Sequence, residues 1–125
     1  MYVTRRVLII DKSIDRKKRL AAVKQRGFAV FPALNLSEAR TRCRPGAYDL
    51  VIINPADEES VVTEFCEQLR GRIPAQAVLL IIPNGSHRTG FEHVAGDDPE
   101  AVADKVEAML GSSGRLQEAS RRTAA

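Results

Sequence analysis

The chain has 125 residues, of which 44% are hydrophobic, 28% charged and 5% aromatic, and its formal net charge is +3. This length predicts one domain with its own core, and the composition is ordinary for a soluble globular protein. No apolar run approaches the roughly 20 residues needed to cross a bilayer, and no signal-peptide core follows Met1, so we expect a cytoplasmic protein without membrane contact. So small a net charge modestly allows a nucleic-acid partner but does not demand one, and we expect no nucleic-acid binding by this domain.

Apolar runs and helical patterns alternate along the chain. In chain order, the predicted elements are strand 7–10, helix 16–26, strand 28–31, helix 36–44, strand 50–53, helix 60–70, strands 78–82 and 91–94, and a last helix that begins at Asp98-Pro99. Gly27 and Pro32 are expected to end the first helix and the second strand. The alternation predicts an α/β fold with a five-stranded parallel sheet.

The connection between the fourth and fifth predicted strands is short. Residues 83–90 include two glycines and one proline, and a crossover between parallel strands usually takes a dozen residues or more. We therefore expect the helix of this connection to be missing or strongly shortened. Residues 1–111 are predicted to form the domain, and residues 112–125 a flexible linker or tail, after which an output domain could follow.

Several segments carry a resemblance to a known family. These segments occur in the order and at the intervals that are typical of that family: Val7-Leu8-Ile9-Ile10-Asp11, Gly27-Phe28, Tyr48-Asp49-Leu50-Val51-Ile52-Ile53 and Asp98-Pro99-Glu100. Residues 5 to about 110 thereby resemble the receiver domain of two-component response regulators. The resemblance implies the flavodoxin-like (CheY-like) fold, with strand order 2-1-3-4-5, and a signalling or transcription-control context.

The resemblance also implies where phosphoryl chemistry would take place. A working receiver phosphorylates an Asp after strand three, holds Mg²⁺ with that Asp and an acidic pair after strand one, and reads the phosphate with a hydroxyl and a Lys. The matching positions here are Asp11, Lys12, Asn54, Ile82 (Pro83 if the register slips by one) and Ala95. Only Asp11 keeps the required group, and an amide such as Asn54 is not a nucleophile for acyl-phosphate formation. The chain is therefore interpreted as a degenerate pseudo-receiver, with no metal or other cofactor.

The missing crossover would leave sheet edge and last-helix surface uncovered, which favours a protein partner or a homodimer. The expected interaction face consists of Phe91, His93, Val102, Val106 and Met109. On this interpretation the chain is a phosphorylation-independent docking or dimerisation module. It would form the N-terminal regulatory part of a transcriptional or two-component regulator.

Two alternatives stay open. One is residual phosphoryl or metal binding at a non-standard site, with Asp11 or Asp49 as acceptor. The other is a sensor that binds a nucleotide or other small ligand through Arg5, Arg88 or the turn at 84–86.

Other candidate features have ordinary interpretations. The basic run at 16–19 is interpreted as a solvated helix face, the two histidines lack metal-ligand spacing, and Cys43 and Cys66 are predicted to be free thiols. No motif of a catalytic triad, zinc protease or phosphate loop is present, so we do not expect an enzyme.

Overall fold

The computed structural model describes residues 4–55, 59–72, 75–82 and 93–111. Its strands are β1 (Arg6–Ile10), β2 (Ala29–Ala33), β3 (Leu50–Ile53), β4 (Val78–Ile82) and β5 (Val94–Gly96). Its helices are α1 (Arg16–Gln25), α2 (Leu36–Arg42), α3 (Glu59–Arg70) and α4 (Pro99–Leu110). Within these described residues, no helix is long and apolar enough to cross a membrane.

The five strands form one parallel sheet in the order β2-β1-β3-β4-β5, which confirms the predicted topology. Ile10 at the end of β1 lies level with Ala33 of β2 and Ile53 of β3. Because the strands are parallel and in register, the residues that follow β1 and β3 meet at the same edge of the sheet. We call this the carboxyl edge.

Local sequence signals set the limits of the helices. Gly27 has a φ of 93°, a left-handed conformation that suits glycine, and it ends α1 as predicted. The Asn35 side chain accepts a hydrogen bond from the Glu38 backbone N–H at 2.8 Å and caps α2. Asp98 caps α4 in the same way, through the N–H of Ala101.

Alternate residues of the strands face two separate core layers. Because successive side chains of a strand point to opposite faces, Leu8 and Ile10 pack on one side of the sheet and Val7 and Ile9 on the other. One layer contains buried residues of α2 and α3: Leu36, Ala39, Val62, Phe65, Cys66 and Leu69. The other contains buried residues of α1 and α4: Ala22, Val23, Val102, Ala103 and Val106.

One arginine connects α1 to α4. Nη2 of Arg26 lies 2.8 Å from Oε2 of Glu100 and 2.9 Å from Oδ1 of Asp104, and Nη1 donates to Glu107. Hydrogen bonds to Glu107, Glu100 and Asp104 raise the pKa of Arg26. The two helices are thus held side by side by an ion-pair cluster above their apolar contact.

The second strand includes the proline that was expected to end it. Pro32 lies inside β2, level with Ile9 of β1. The carbonyl of Ala33 accepts the Asp11 N–H at 2.9 Å, so the preceding Pro32 carbonyl faces away from β1, where the Arg42 guanidinium donates to it. A proline fits here because β2 is an edge strand and its outer side needs no N–H.

The last strand lies later than the sequence predicted. The sequence pattern placed it at 91–94, whereas β5 runs from Val94 to Gly96, since these residues pair with Leu80 to Ile82 of β4. The expectation of a missing or shortened helix falls on residues 83–90, which lie outside the described residues. The predicted tail, residues 112–125, lies outside them as well.

Candidate functional site

Asp11 and Asn54 meet at the carboxyl edge of the sheet. Asn54 directly follows β3, and its N–H donates to the Ile10 carbonyl at 2.8 Å, which ties it to the end of β1. Its side-chain Nδ2 lies 3.2 Å from Oδ1 of Asp11. Asp11 itself is buried, and Asn54 is partly exposed. The structure therefore brings together the two positions that the resemblance assigned to metal binding and phosphorylation.

A buried arginine occupies the centre of this site. Nε of Arg19, on α1, donates to Oδ2 of Asp11 at 2.7 Å, and the two side chains are 4% and 1% exposed. Nη1 of Arg19 donates to the Asp97 carbonyl at 2.9 Å, and Nη2 donates to the Ser13 hydroxyl. All three guanidinium nitrogens are thus bound, and the side chain joins α1, the β1–α1 loop and the β5–α4 loop.

Both oxygens of the Asp11 carboxylate accept hydrogen bonds. Oδ2 accepts from Arg19, and Oδ1 accepts from Asn54 and from the Ser13 backbone N–H at 2.9 Å. Burial acts to raise the pKa of Asp11, but hydrogen bonds from Arg19 and Ser13 and the charge of Arg19 outweigh it, so the pKa is lowered. The carboxylate therefore stays charged, with a fixed internal cation beside it.

The sequence interpretation of Arg19 was wrong. It grouped Arg19 with the solvated basic run, but Arg19 is buried, while Lys17 and Lys18 of that run are exposed. The signal that could have found it is its spacing from Ala22 and Val23. Residues three and four apart share a helix face, so Arg19 lies on the face that packs on the sheet.

Of the remaining three positions, Lys12 has a cation where the resemblance implies an acid, and Ile82 and Ala95 supply no phosphate-binding group. Lys12 is exposed beside the site. Ile82 packs against the α2 and α3 layer, and Ala95 packs against the α1 and α4 layer. Neither side chain has a hydroxyl or an amine to offer to a phosphoryl group.

A divalent cation does not fit these residues. Mg²⁺ and Ca²⁺ need several oxygen ligands, commonly more than one of them a carboxylate. The carboxylate of Asp11 already binds the Arg19 guanidinium, and Asn54 turns a donor, not an acceptor, toward it. Across the described parts of the chain, no three His, Cys, Asp or Glu side chains are grouped so that they could hold a metal.

The expected interaction face needs correction. Val102 and Val106 are fully buried in the α1 and α4 core layer, so they cannot contribute to a surface of this domain. The sequence pattern could not separate an apolar stripe that covers the sheet from one that faces solvent. Met109 packs against the same layer, His93 is partly exposed, and Phe91 lies outside the described residues.

Of the alternative site residues, Asp49 and Arg5 lie at the edge of the sheet opposite to Asp11. Asp49 precedes β3, accepts the Arg6 N–H at 2.8 Å and lies 3.7 Å from Nη1 of Arg5. A surface cavity of about 380 Å³ also lies at this edge, and its described lining is Cys66, Arg70, Ala75, Gln76, Ala77, Val78 and His93. Both are separate from Asp11, and the ligand contacts suggested at Arg88 and residues 84–86 fall outside the described residues.

Comparison with known proteins identifies the fold class. No family model and no curated protein matches this chain. Among solved structures, it is similar to a response regulator from Thermotoga maritima, with a TM-score of 0.70 and 20% identity over 88% of this chain and 100% of that chain. It is also similar to the chemotaxis response regulator CheY4 of Vibrio cholerae, with a TM-score of 0.72 and 17% identity over 86% of this chain and 100% of that one.

A third similar structure is an atypical orphan response regulator, described as revealing a phosphorylation-independent regulatory mechanism. Its TM-score is 0.68 and its identity 20%, over 86% of this chain and 98% of that chain. Identities this low establish the fold. The chain has the CheY-like receiver fold, and its structural neighbours are response-regulator receiver domains, atypical ones included.

Proposed function

We propose that this chain is a receiver-like signalling domain that works without phosphorylation, through contacts with another protein. The observation that carries the proposal is the ion pair of Asp11 and Arg19 beside Asn54. Phosphorylation of a receiver needs a carboxylate nucleophile, and Asn54 has an uncharged amide in its place. The Asp11 carboxylate beside Asn54 is held by an arginine of the same chain.

Arg19 explains how the site holds together without a metal. In a metal-dependent receiver, an exchangeable cation and a phosphoryl group would neutralise the carboxylates and connect the loops. Here a covalently attached cation binds Asp11, Ser13 and the Asp97 carbonyl at once. The loops after β1 and β5 are thereby joined in one arrangement that requires no ligand, and this favours a constitutive signalling state.

One exposed apolar side chain in the loop that Arg19 fixes offers a point of contact for a partner. Ile14, in the loop between Asp11 and α1, is 92% exposed, although isoleucine is usually buried. It lies three residues from Asp11, so the conformation set by Arg19 also sets the position of Ile14. A partner that covers Ile14 would recognise this fixed loop.

The decisive test is exposure to phosphoryl donors. The purified protein is incubated with acetyl phosphate and Mg²⁺, and separately with beryllofluoride and Mg²⁺, and is followed by intact mass and by amide NMR spectra. We expect no mass gain and no Mg²⁺-dependent shift of the Asp11, Ser13 or Asn54 amides. A stoichiometric mass gain, or saturable shifts at these amides, would show that the site still accepts a phosphoryl group.

A further inference from the structure

Charged residues are divided unevenly along the chain. Residues 4–44 contain 12 Lys or Arg and three Asp or Glu, whereas the described residues of 45–111 contain three Lys or Arg and nine Asp or Glu. Because of the strand order, these two parts of the sequence lie on opposite sides of the sheet. β2 and β1, from the first part, form one side of the sheet, and β4 and β5, from the second, form the other.

The helices follow the same division on both faces of the sheet. α1 and α2 both contact β2, while α3 contacts β4 and α4 contacts β5. α1 has five Lys or Arg and no acid, whereas α3 and α4 each have three acids and one base. We call the two sides the basic edge (β2, α1, α2) and the acidic edge (β4, β5, α3, α4).

Part of this charge is not used inside the domain, although the three acids of α4 bind Arg26 and Arg19 binds Asp11. On the basic edge, Lys17 and Arg44 are exposed, and neither has an ion pair within the described residues. On the acidic edge, the same holds for Glu64 and Glu67 of α3. Each edge also exposes apolar side chains, Phe31 and Leu34 on the basic one and Val94 on the acidic one. Charges around apolar contacts are the usual composition of a protein interface.

From this arrangement we infer that the chain associates head to tail with a second copy of itself, the basic edge of one copy against the acidic edge of the next. This inference names the partner of the proposed function. It rests on charge complementarity, because a single chain has both a basic edge and an acidic edge. A nucleic acid would be attracted to the basic edge alone and repelled by the acidic one, and the net charge of +3 is small.

The association is heterologous, since two different surfaces of the same chain meet. Its attraction is electrostatic, so it depends on salt. Raising the salt concentration from about 0.01 M to about 1 M shortens the screening length from about 30 Å to about 3 Å. We therefore expect complexes at low salt and single chains at high salt.

The test is sedimentation equilibrium of the full chain over a concentration series. The basic-edge variant is Lys17→Glu with Arg44→Glu, and the acidic-edge variant is Glu64→Lys with Glu67→Lys. Each should associate at least about tenfold more weakly than the wild type, because like charges then face each other. An equimolar mixture of the two should associate again, since every contact then joins opposite charges. Lys105→Glu, which adds acid to the acidic edge, is the control and should not weaken association.

Thermal melts show whether the variants fold. Lys17→Glu places an acid in the first turn of α1 and Glu67→Lys a base near the end of α3, and both suit the helix dipole.

A wild type that stays a single chain at low salt, or an association that neither variant weakens, would overturn the inference. So would a single chain that binds duplex DNA through Lys17 and Arg44. None of these results involves Mg²⁺ or beryllofluoride, so the phosphorylation-independent function would still be judged by its own experiment.

Discussion

Nε of Arg19 lies 2.7 Å from Oδ2 of Asp11, and both side chains are almost completely buried. A buried pair of this kind contributes little net stability when it is compared with a well-packed apolar pair, but removal of one partner leaves an unpaired charge in the core. The two residues therefore depend on each other, and their joint removal should be tolerated better than the loss of either one.

Arg19→Met should destabilise the protein by about 3–5 kcal/mol, because Asp11 is left buried without its cation. Urea unfolding followed by circular dichroism measures this. The exposed neighbour Lys17→Met serves as the control and should change the free energy of unfolding by less than about 0.5 kcal/mol. The double variant Asp11→Asn with Arg19→Met should recover part of the loss. An Arg19→Met protein as stable as the control would contradict the role of the buried pair.

The stability of the protein should fall at acid pH through Asp11. Because the folded-state pKa of Asp11 lies below the ordinary value of 3.8, its contribution is complete above that value and is lost as the pH falls through the folded pKa. Unfolding free energies measured from about pH 7 to about pH 2 should therefore drop more steeply for the wild type than for the Asp11→Asn, Arg19→Met double variant. Parallel curves would show that Asp11 does not titrate in this way.

The sequence predicted the fold well because the fold depends on patterns that a sequence displays directly. The apolar run at 78–82 matches β4, and the capping residues Asp98 and Pro99 mark the start of α4. The sequence also predicted that Asp11 and Asn54 meet at one edge of the sheet, because the ends of parallel strands lie side by side, and the two side chains are in contact there. It failed at Arg19, because a charged residue is ordinarily exposed, and a single buried one is stabilised by partners distant in sequence, such as Asp97. It could not tell that Val102 and Val106 face the sheet, because an apolar helix stripe has the same pattern whether it covers a sheet or meets a partner.

Removal of Arg19 should allow a metal ion to bind at this site, once the missing acids are also introduced. Lys12→Asp with Asn54→Asp restores the missing acids but leaves Arg19 bound to Asp11. The same two substitutions together with Arg19→Met place three carboxylates at the edge without an internal cation, a donor set that Mg²⁺ accepts. We expect the triple variant to bind Mg²⁺ at least about tenfold more tightly than the double, seen as a larger rise of the melting temperature with added Mg²⁺. Equal binding by both variants would show that Arg19 does not compete with a metal.

Arg26→Gln should weaken the contact between α1 and α4. The three carboxylates around Arg26 would lose their common partner and repel one another. Because Glu100 and Asp104 are largely exposed, solvent screens much of this interaction, and we expect a loss of about 1–2 kcal/mol. The loss should shrink at high salt. Arg44→Gln, which removes an exposed arginine without an ion pair among the described residues, is the matched control for urea unfolding.

The proline in the outer strand has a consequence for how copies of this chain can meet. Pro32 offers no N–H on its outer side, and its carbonyl is already bound by Arg42. A sixth strand from another molecule would therefore find a break in the hydrogen-bonding ladder at Pro32, near the end of β2. Edge strands that lack this protection recruit one another into growing sheets. Contacts between copies at this edge must form through side chains, which keeps them reversible and open to control by charge.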